Sequence, residues 1–566
     1  MDLYLRRIWK YKFHYLLAFL PLMVILLLKI VPFLIGVRMA FVNFNPFYGL
    51  FGSEWAGWAN FEGLFNTPEF GNILTNTLAI KLSYMAVVGT VSLVLAVALS
   101  GIQSARLRNT FVLLFLIPYF IPSSVFADVA AFLLSPSQSV FPIANSPLAD
   151  PAYFRAVVYL LETLKTCGIP VLLALAAIRA YSSGSRAFGV RQIPPFYPAL
   201  RALVAFLLIQ LSTILSTDFE LLHRLINPIV FSVSDTVDTF GFRIGFMNAH
   251  YGVGSAMWLF QFAVQLIFTL AAYFLVRKWF FHDLFTGSSA QASGAIRLNL
   301  DKSTGSSSGS SAGRNALGIV VASLYSALVL LFLYFLFVHP FLHGEGGGPA
   351  LSDVFPARNF ILFLFFYGMV TVIGLLIILM LAYPLTATAL PGRRLYKLVL
   401  LFVLAIGTGS TLHEYMAYRQ IGAVNTILPL LISGLVAIVG VFVLKGVFNA
   451  NYASLKLQAE QEGRGEMHAF FTLFVPKVWK SLLGLGVLNF GALWNSYIPS
   501  LVYLSNPKLY SPVAAVTMLS RGMDLQQYPE IWLQLGAIVS LPPVILLLAL
   551  SRFLTSEVFL GASRRF

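Results

Sequence analysis

Apolar runs of about twenty residues recur along the chain with only short polar interruptions, and this constrains its fold more than any other feature. At 1.5 Å per residue, a helix of that length spans the roughly 30 Å hydrocarbon layer of a bilayer. Twelve runs qualify. They fall near 15–40, 78–101, 110–134, 155–178, 197–217 and 254–276, then near 316–338, 360–384, 396–412, 424–448, 477–501 and 533–553. The runs are continuous rather than alternating, so they predict helices, and the expected fold class is an all-α integral membrane protein. With 58% hydrophobic and 10% charged residues, the chain lies outside the range of a water-soluble domain. The first run follows Arg6, Arg7, Lys10 and Lys12, but it is too long for a signal peptide and is read as a retained span.

Twelve spans place both termini on one side, and the Lys/Arg-rich segments assign that side to the cytoplasm. The net charge of +15 is then a topology signal rather than a nucleic-acid patch. The single cysteine, Cys167, excludes an internal disulfide and any multi-cysteine metal site.

The chain also reads as a duplication. "NPIVFS" at 227–232 is answered by "NPKLYS" at 506–511, Arg243 by Arg521, and Pro198 in "FYPALRAL" by Pro476 in "FVPKVWKSL", all at one spacing to within a residue. Between the sixth and seventh runs lies a Gly/Ser-rich tract with the composition of a flexible coil. The expected organisation is a six-span half at 1–285, a cytoplasmic linker at 286–315 and a second six-span half at 316–566. A pathway at the interface of two pseudo-symmetric halves follows.

No phosphate loop, zinc-protease helix or dinucleotide turn occurs, so no catalytic residue and no cofactor is assigned to the chain. His339 and His343 are four apart in "HPFLH", yet Pro340 intervenes and no carboxylate is adjacent. They are read as loop histidines, and no metal site is expected.

The stretch "LKLQAEQEGRGEMHAFFTLFVPKV", 455–478, is the least hydrophobic piece of the last third. On a helix Ala459 and Gly463 share a face that another surface could approach closely. Gly463 and Gly465 then break the helix, Phe470, Phe471, Leu473 and Phe474 can anchor the segment, and Pro476 suits the first turn of the next span. The expected geometry is a short cytoplasmic helix lying across the entrance of a span. This pattern of Ala459, Glu462, Gly463 and Pro476 resembles the coupling motif of binding-protein-dependent ABC importer permeases. The flanks "IGAVNTILPLLISGLVAIVGVFVLKGVF" and "LWNSYIPSLVYLSNPKLYSPVAAVTML" resemble the second permease subunit of carbohydrate importers. "WKYKFHYLLAFLP", "AFVNFNPFYGLFGSEWAGWANFEGLF" and "NPIVFSVSDTVDTFGFRIG" resemble the partner subunit of the polysaccharide branch. Leu457 and Gln458 stand where that family has Glu and its first Ala. The matching first-half loop, "RAYSSGSRAFGVRQIPPFYP", keeps Pro198 and offers Gly184, but it is short and has no acid.

The resemblance implies two fused permease subunits of the type I ABC importer kind in a bacterial cytoplasmic (inner) membrane. It implies separate cytoplasmic ATPase subunits, two copies or a heterodimer, that carry ATP and Mg and contact Ala459, Glu462, Gly463, Pro476, Gly184 and Pro198. An extracytoplasmic solute-binding protein would deliver a carbohydrate, an oligosaccharide, to outer loops near 41–77, 135–154 and 218–253. Sugar recognition needs aromatic faces with amide or carboxylate partners, which Trp494, Asn495, Tyr497, Gln210 and Asp218 supply at the ends of two spans. Glu162 and Lys165, three apart within a span, are also path candidates and could neutralise each other. The alternatives are a secondary transporter of the major-facilitator type, echoed in "LPGRRLYK" at 390–397, and a non-transporting membrane scaffold.

Overall fold

Long helices form where the apolar runs predict them, and their outward faces stay apolar. In the computed structural model Leu324 is 77% exposed, Ile361 67% and Phe365 66%, which in water would be a large uncovered hydrophobic surface and in lipid is not. The structure describes residues 9–136, 145–187, 194–279, 310–343, 351–387, 389–406, 411–463, 465–521, 528–554 and 558.

The principal helices of the first half begin with α1, which starts at Lys12–Ile25, passes through a π-turn at Leu26–Ile30 and ends with Val31–Ala40. A two-residue antiparallel ladder follows, β1 (Val42–Asn43) with β2 (Glu54–Trp55), in the register Val42 opposite Trp55. Then come α2 (Phe70–Gly101), α3 (Ala105–Leu116), α4 (Ser123–Leu133), α5 (Pro151–Thr166), α6 (Gly168–Ala187), α7 (Phe196–Gln210), α8 (Phe219–Leu225) and α9 (Tyr251–Trp279). The second half repeats the order with α10 (Ser310–Phe337), α11 (Ala357–Ala382), α12 (Arg393–Ile406), α13 (Thr411–Gln420), α14 (Ile438–Gln461), α15 (Val475–Asn495), α16 (Ile498–Tyr503) and α17 (Pro529–Leu550).

The count of twelve spans is not confirmed among the described residues. Eight helices among the described residues are long and apolar enough to cross a membrane, and eleven if each sharply bent pair is one span. The bends are 99° between α3 and α4, 51° between α5 and α6 and 103° between α12 and α13. Prolines account for the first: Pro118 sits in a 3₁₀ turn at Ile117–Phe120, and Pro122, which has no N–H to donate, precedes α4. The run at 424–448 divides between a short helix, Leu428–Ile432, and the start of α14, whose apolar part Ile438–Asn449 is short. The linker also ends earlier than composition suggests, because 310–315 already belong to α10; residues 286–309 lie outside the described residues. Likewise 70–77 belong to α2 rather than to an outer loop.

Each half reaches into the other. Helix α10 packs on α2, while α1 packs on α11 and α13. The α10 contact is a backbone approach: a Cβ at Gly318 would lie 2.4 Å from the carbonyl oxygen of Ala98, and one at Gly101 would lie 2.9 Å from that of Arg314. No side chain fits at Gly318. One core of buried residues runs through both halves, from Tyr84 and Phe126 to Phe332, Tyr383 and Trp494.

The repeat is visible in local geometry. Asn227 Oδ1 accepts from the Ile229 N–H at 3.1 Å, and Asn506 Oδ1 from the Lys508 N–H at 3.0 Å, so each "NP" dipeptide opens an Asn-capped 3₁₀ turn. The paired arginines diverge, however. Arg243 binds Asp235 at 2.5 Å, whereas Arg521 reaches the His223 carbonyl at 3.3 Å.

Candidate functional site: a cavity between the halves

A cavity of about 580 Å³ opens between the two halves, lined from the first by Lys29, Ser123, Lys165, Asp218 and Glu220 and from the second by Tyr367, Asn489, Asn495 and Ser496. It sits where helices end or bend. Lys165 is in the last turn of α5, Asp218 caps α8, Ser123 opens α4 after the proline bend, and Asn495 is the last residue of α15.

Every charged group on the wall has a protein partner. Lys165 Nζ bonds to Ser123 Oγ and lies 2.7 Å from Asp218 Oδ2, with both side chains at least nine-tenths buried. Asp218 Oδ1 also accepts from the Leu221 N–H at 3.1 Å as the N-cap of α8. Burial opposes the charge on Asp218, but Lys165 and these hydrogen bonds outweigh it and hold the carboxyl below its ordinary value. Lys29 in α1 pairs with Glu414 in α13 at 2.6 Å, and Tyr503 donates to the same carboxylate at 3.3 Å. Glu220 Oε1 accepts from Ser496 Oγ at 2.6 Å, Tyr497 N at 3.0 Å and Ile498 N at 3.3 Å, all in the other half. Burial pushes the Glu220 carboxyl up to about 7. The rest of the wall mixes amides, hydroxyls and aromatic rings with aliphatic side chains such as Leu404, Val436 and Ile438.

Of the residues singled out in the sequence, Lys165, Asp218 and Asn495 meet at this cavity. Asn495 Nδ2 donates to the Phe120 carbonyl at 3.1 Å across the halves. The others do not line it. Trp494 is fully buried, donates to the Val539 carbonyl at 2.7 Å and stacks on Phe490, so it is a packing residue. Tyr497 is buried with its hydroxyl 2.8 Å from His223 Nδ1, and Gln210 is buried at the end of α7. The expected Glu162 and Lys165 pair does not form, because one helical face cannot aim both at each other while Lys165 reaches Asp218. Glu162 instead faces the field of Lys81, buried on α2. Lys29, Ser123 and Glu220 were missed; Lys29 is a charge inside the first apolar run and Glu220 lies just past the end of the fifth, near Asp218.

The 455–478 segment also differs from the sequence expectation. No separate crossing helix forms; α14 runs on to Gln461, and Gly463, with φ +73°, ends it in the left-handed conformation. Ala459 is buried together with Lys456, so that face turns toward the protein, while Glu462 and Gly463 are exposed. Lys456 bonds to Thr386 at 3.1 Å, and Tyr383 donates to Glu466 at 2.5 Å. Pro476 lies in the first turn of α15, as expected, after a π-turn at Phe470–Phe474 with Phe470 and Phe474 buried. In the first half Gly184 lies near the end of α6 and Pro198 in α7, while 188–193 lie outside the described residues. His339 begins a short helix, His339–Leu342, and its ring stacks on His343 at 4.4 Å; among the described residues no cluster suits a metal.

A bundle of apolar helices of this kind, with a cavity between its two halves, defines a multi-pass membrane protein. No family model matches the chain. Over 292 residues it is 25% identical to Protein LplB of Bacillus subtilis (strain 168), covering 48% of this chain and 91% of that protein. It is 26% identical to the polygalacturonan/rhamnogalacturonan transport system permease protein YteP of the same organism, covering 47% and 88%. It is also 26% identical to the osmoprotective compounds uptake permease protein GgtD of a Synechocystis strain, over 34% of this chain and 65% of that protein. Among solved structures, the crystal structure of a bacterial ABC transporter that imports alginate has a chain 24% identical, with a TM-score of 0.42, covering 48% of this chain and 99% of that one. Two of these relatives are named as transport or uptake permease proteins, and the chain has the length of about two of the relatives it matches.

Proposed function

We propose that this chain is the translocation path of an ATP-driven ABC importer, with two permease subunits joined in one polypeptide, and that its cargo is an oligosaccharide. The observation that carries the reading is the cavity of about 580 Å³ lined by both halves, where hydroxyls and amides stand among apolar side chains and charges are already paired. Such a wall suits a polyol, which offers many weak donors and acceptors.

In this reading ATP and Mg are bound and hydrolysed on separate cytoplasmic subunits, and a solute-binding protein delivers cargo on the opposite face. The termini, the linker and the 449–475 loop are cytoplasmic. Movement of the ATPases acts on Glu462, Gly463 and Pro476 and on the loop near Gly184 and Pro198, and alternates the cavity between two access states. Only differential affinity of ATP and cargo for those states can drive the cycle.

The test is copurification of the full chain from its native membrane and reconstitution with the partners identified. Uptake that needs both ATP and a separable binding protein is expected. Uptake driven by an ion gradient without ATP would replace this reading with the secondary transporter.

A further inference from the structure

The two short helices that follow the cavity-lining spans are repeat counterparts with different caps. Helix α8 follows α7 and is capped by its own Asp218, whose Oδ1 accepts from the Leu221 N–H at 3.1 Å. Helix α16 follows α15, and the repeat spacing that pairs Asn227 with Asn506 puts Tyr497 at the capping position. Tyrosine cannot cap, and α16 has no side-chain cap of its own. Its acceptor comes from across the interface. Glu220 Oε1 takes hydrogen bonds from Ser496 Oγ, Tyr497 N and Ile498 N, and the Tyr497 hydroxyl donates to the Glu220 carbonyl at 3.3 Å.

The position of this contact gives it a consequence. Helices α7 and α15 start just after the loops assigned to ATPase coupling and end at Gln210 and Asn495, so Glu220 and Ser496 lie beyond the far ends of both. A second cavity of about 300 Å³ shares Thr213, Thr217 and Phe219 with the first and is lined by Ile498, whose N–H Glu220 holds. The Glu220 contact therefore stands between two compartments that both halves enclose.

We infer that Glu220 is a positioning residue that latches the far end of the path shut by capping α16 in trans. Separating the halves would strip α16 of its cap and leave a carboxylate unpaired, which is costly while the interface is dry and tolerable once water or a cargo hydroxyl replaces the donors. The latch is thus stable in the closed state and reversible when the path is wetted. It rests on the importer reading for which face is the far one, but its existence can be tested without transport.

The experiment uses the full chain assembled with its ATPase partners, with Cys167→Ser and a cavity reporter, Ser433→Cys. An impermeant maleimide is applied from the side of residues 41–69. With Glu220 intact and no nucleotide, labelling is expected to be slow. Losing the three hydrogen bonds to Glu220 in Glu220→Ala should speed it about tenfold or more. Glu220→Gln keeps an acceptor oxygen and should stay near the parent rate, and Ser496→Ala, which removes one donor, should fall between. Thermal unfolding of each variant in detergent separates latch release from misfolding, and an unstable Glu220→Ala is replaced as the deciding variant by Ser496→Ala. Equal labelling rates in the parent and the deciding variant would overturn the latch. Failure of the chain to bind ATPases would instead refute the importer reading.

Discussion

Lys165 shows how much one side chain can decide here. Its ammonium is held by Ser123 and Asp218, and both charged side chains are at least nine-tenths buried. Lys165→Met should leave Asp218 as an uncompensated buried charge and lower stability by about 3 to 5 kcal/mol. Adding Asp218→Asn should recover part of that loss, read as thermal unfolding of the two variants in detergent. His223 carries a pH signature. Burial first, then Arg521 and Arg224, hold its pKa at about 4 against an ordinary 6.5, so it is neutral beside Tyr497 at physiological pH. The folded state then binds fewer protons than the unfolded one between those values. The stability from the neutral ring is complete above 6.5 and is lost as pH falls toward 4. His223→Gln should flatten the dependence of melting temperature on pH in that window, and an unchanged slope would place the titrating group elsewhere.

At the scale of elements, the asymmetry between the two coupling segments rests on backbone geometry. Gly463 closes α14 at φ +73° with open space around it, so a side chain there strains the backbone without meeting a neighbour. Gly184 lies inside α6, where a side chain costs no such strain. Gly463→Phe should uncouple ATP hydrolysis from uptake while the chain still assembles, and Gly184→Phe should be milder. The measurement is cargo-stimulated ATPase activity of the reconstituted complex, and equal losses in the two would remove the asymmetry. The grip between halves has its own weak point. Gly318→Val would drive a branched side chain into the Ala98 carbonyl, pushing α10 off α2. Separated halves, made by cutting the chain near Ser308, should then fail to copurify, whereas the same cut with Gly318 intact should leave them associated.

Across the whole molecule, charge is balanced inside the cavity and unbalanced outside it. Lys29, Lys165, Asp218 and Glu220 are satisfied by partners within the protein, so an anionic cargo would have to break ion pairs to find a counter-charge. Reconstituted uptake should prefer a neutral oligosaccharide to a uronate of the same length by about tenfold or more. Preference for the uronate would mean that Lys165 exchanges Asp218 for cargo. The duplicated architecture makes this balance possible, because two of the four groups are satisfied only from the opposite half.

The apolar runs by themselves determined that the chain is helical and membrane-embedded, because hydrocarbon leaves a helix no alternative once its length is set. The repeated "NP" and arginine positions likewise revealed two related halves, and Asp218, Lys165 and Asn495 stood out as polar residues in apolar surroundings. Bends were less legible: Pro118 and Pro122 warned of one and Gly407 and Gly409 of the 103° turn between α12 and α13, but neither pair fixes an angle. Partnership was decided only by tertiary structure. Whether Lys165 meets Glu162 three residues away or Asp218 on another helix depends on how α5, α7 and α8 pack, and the trans cap of α16 depends on the apposition of two halves. Trp494 and Tyr497 carry the residue types that bind sugars, but α15 and α16 turn them into the core, since a helix exposes a given side chain only on the face its packing leaves open.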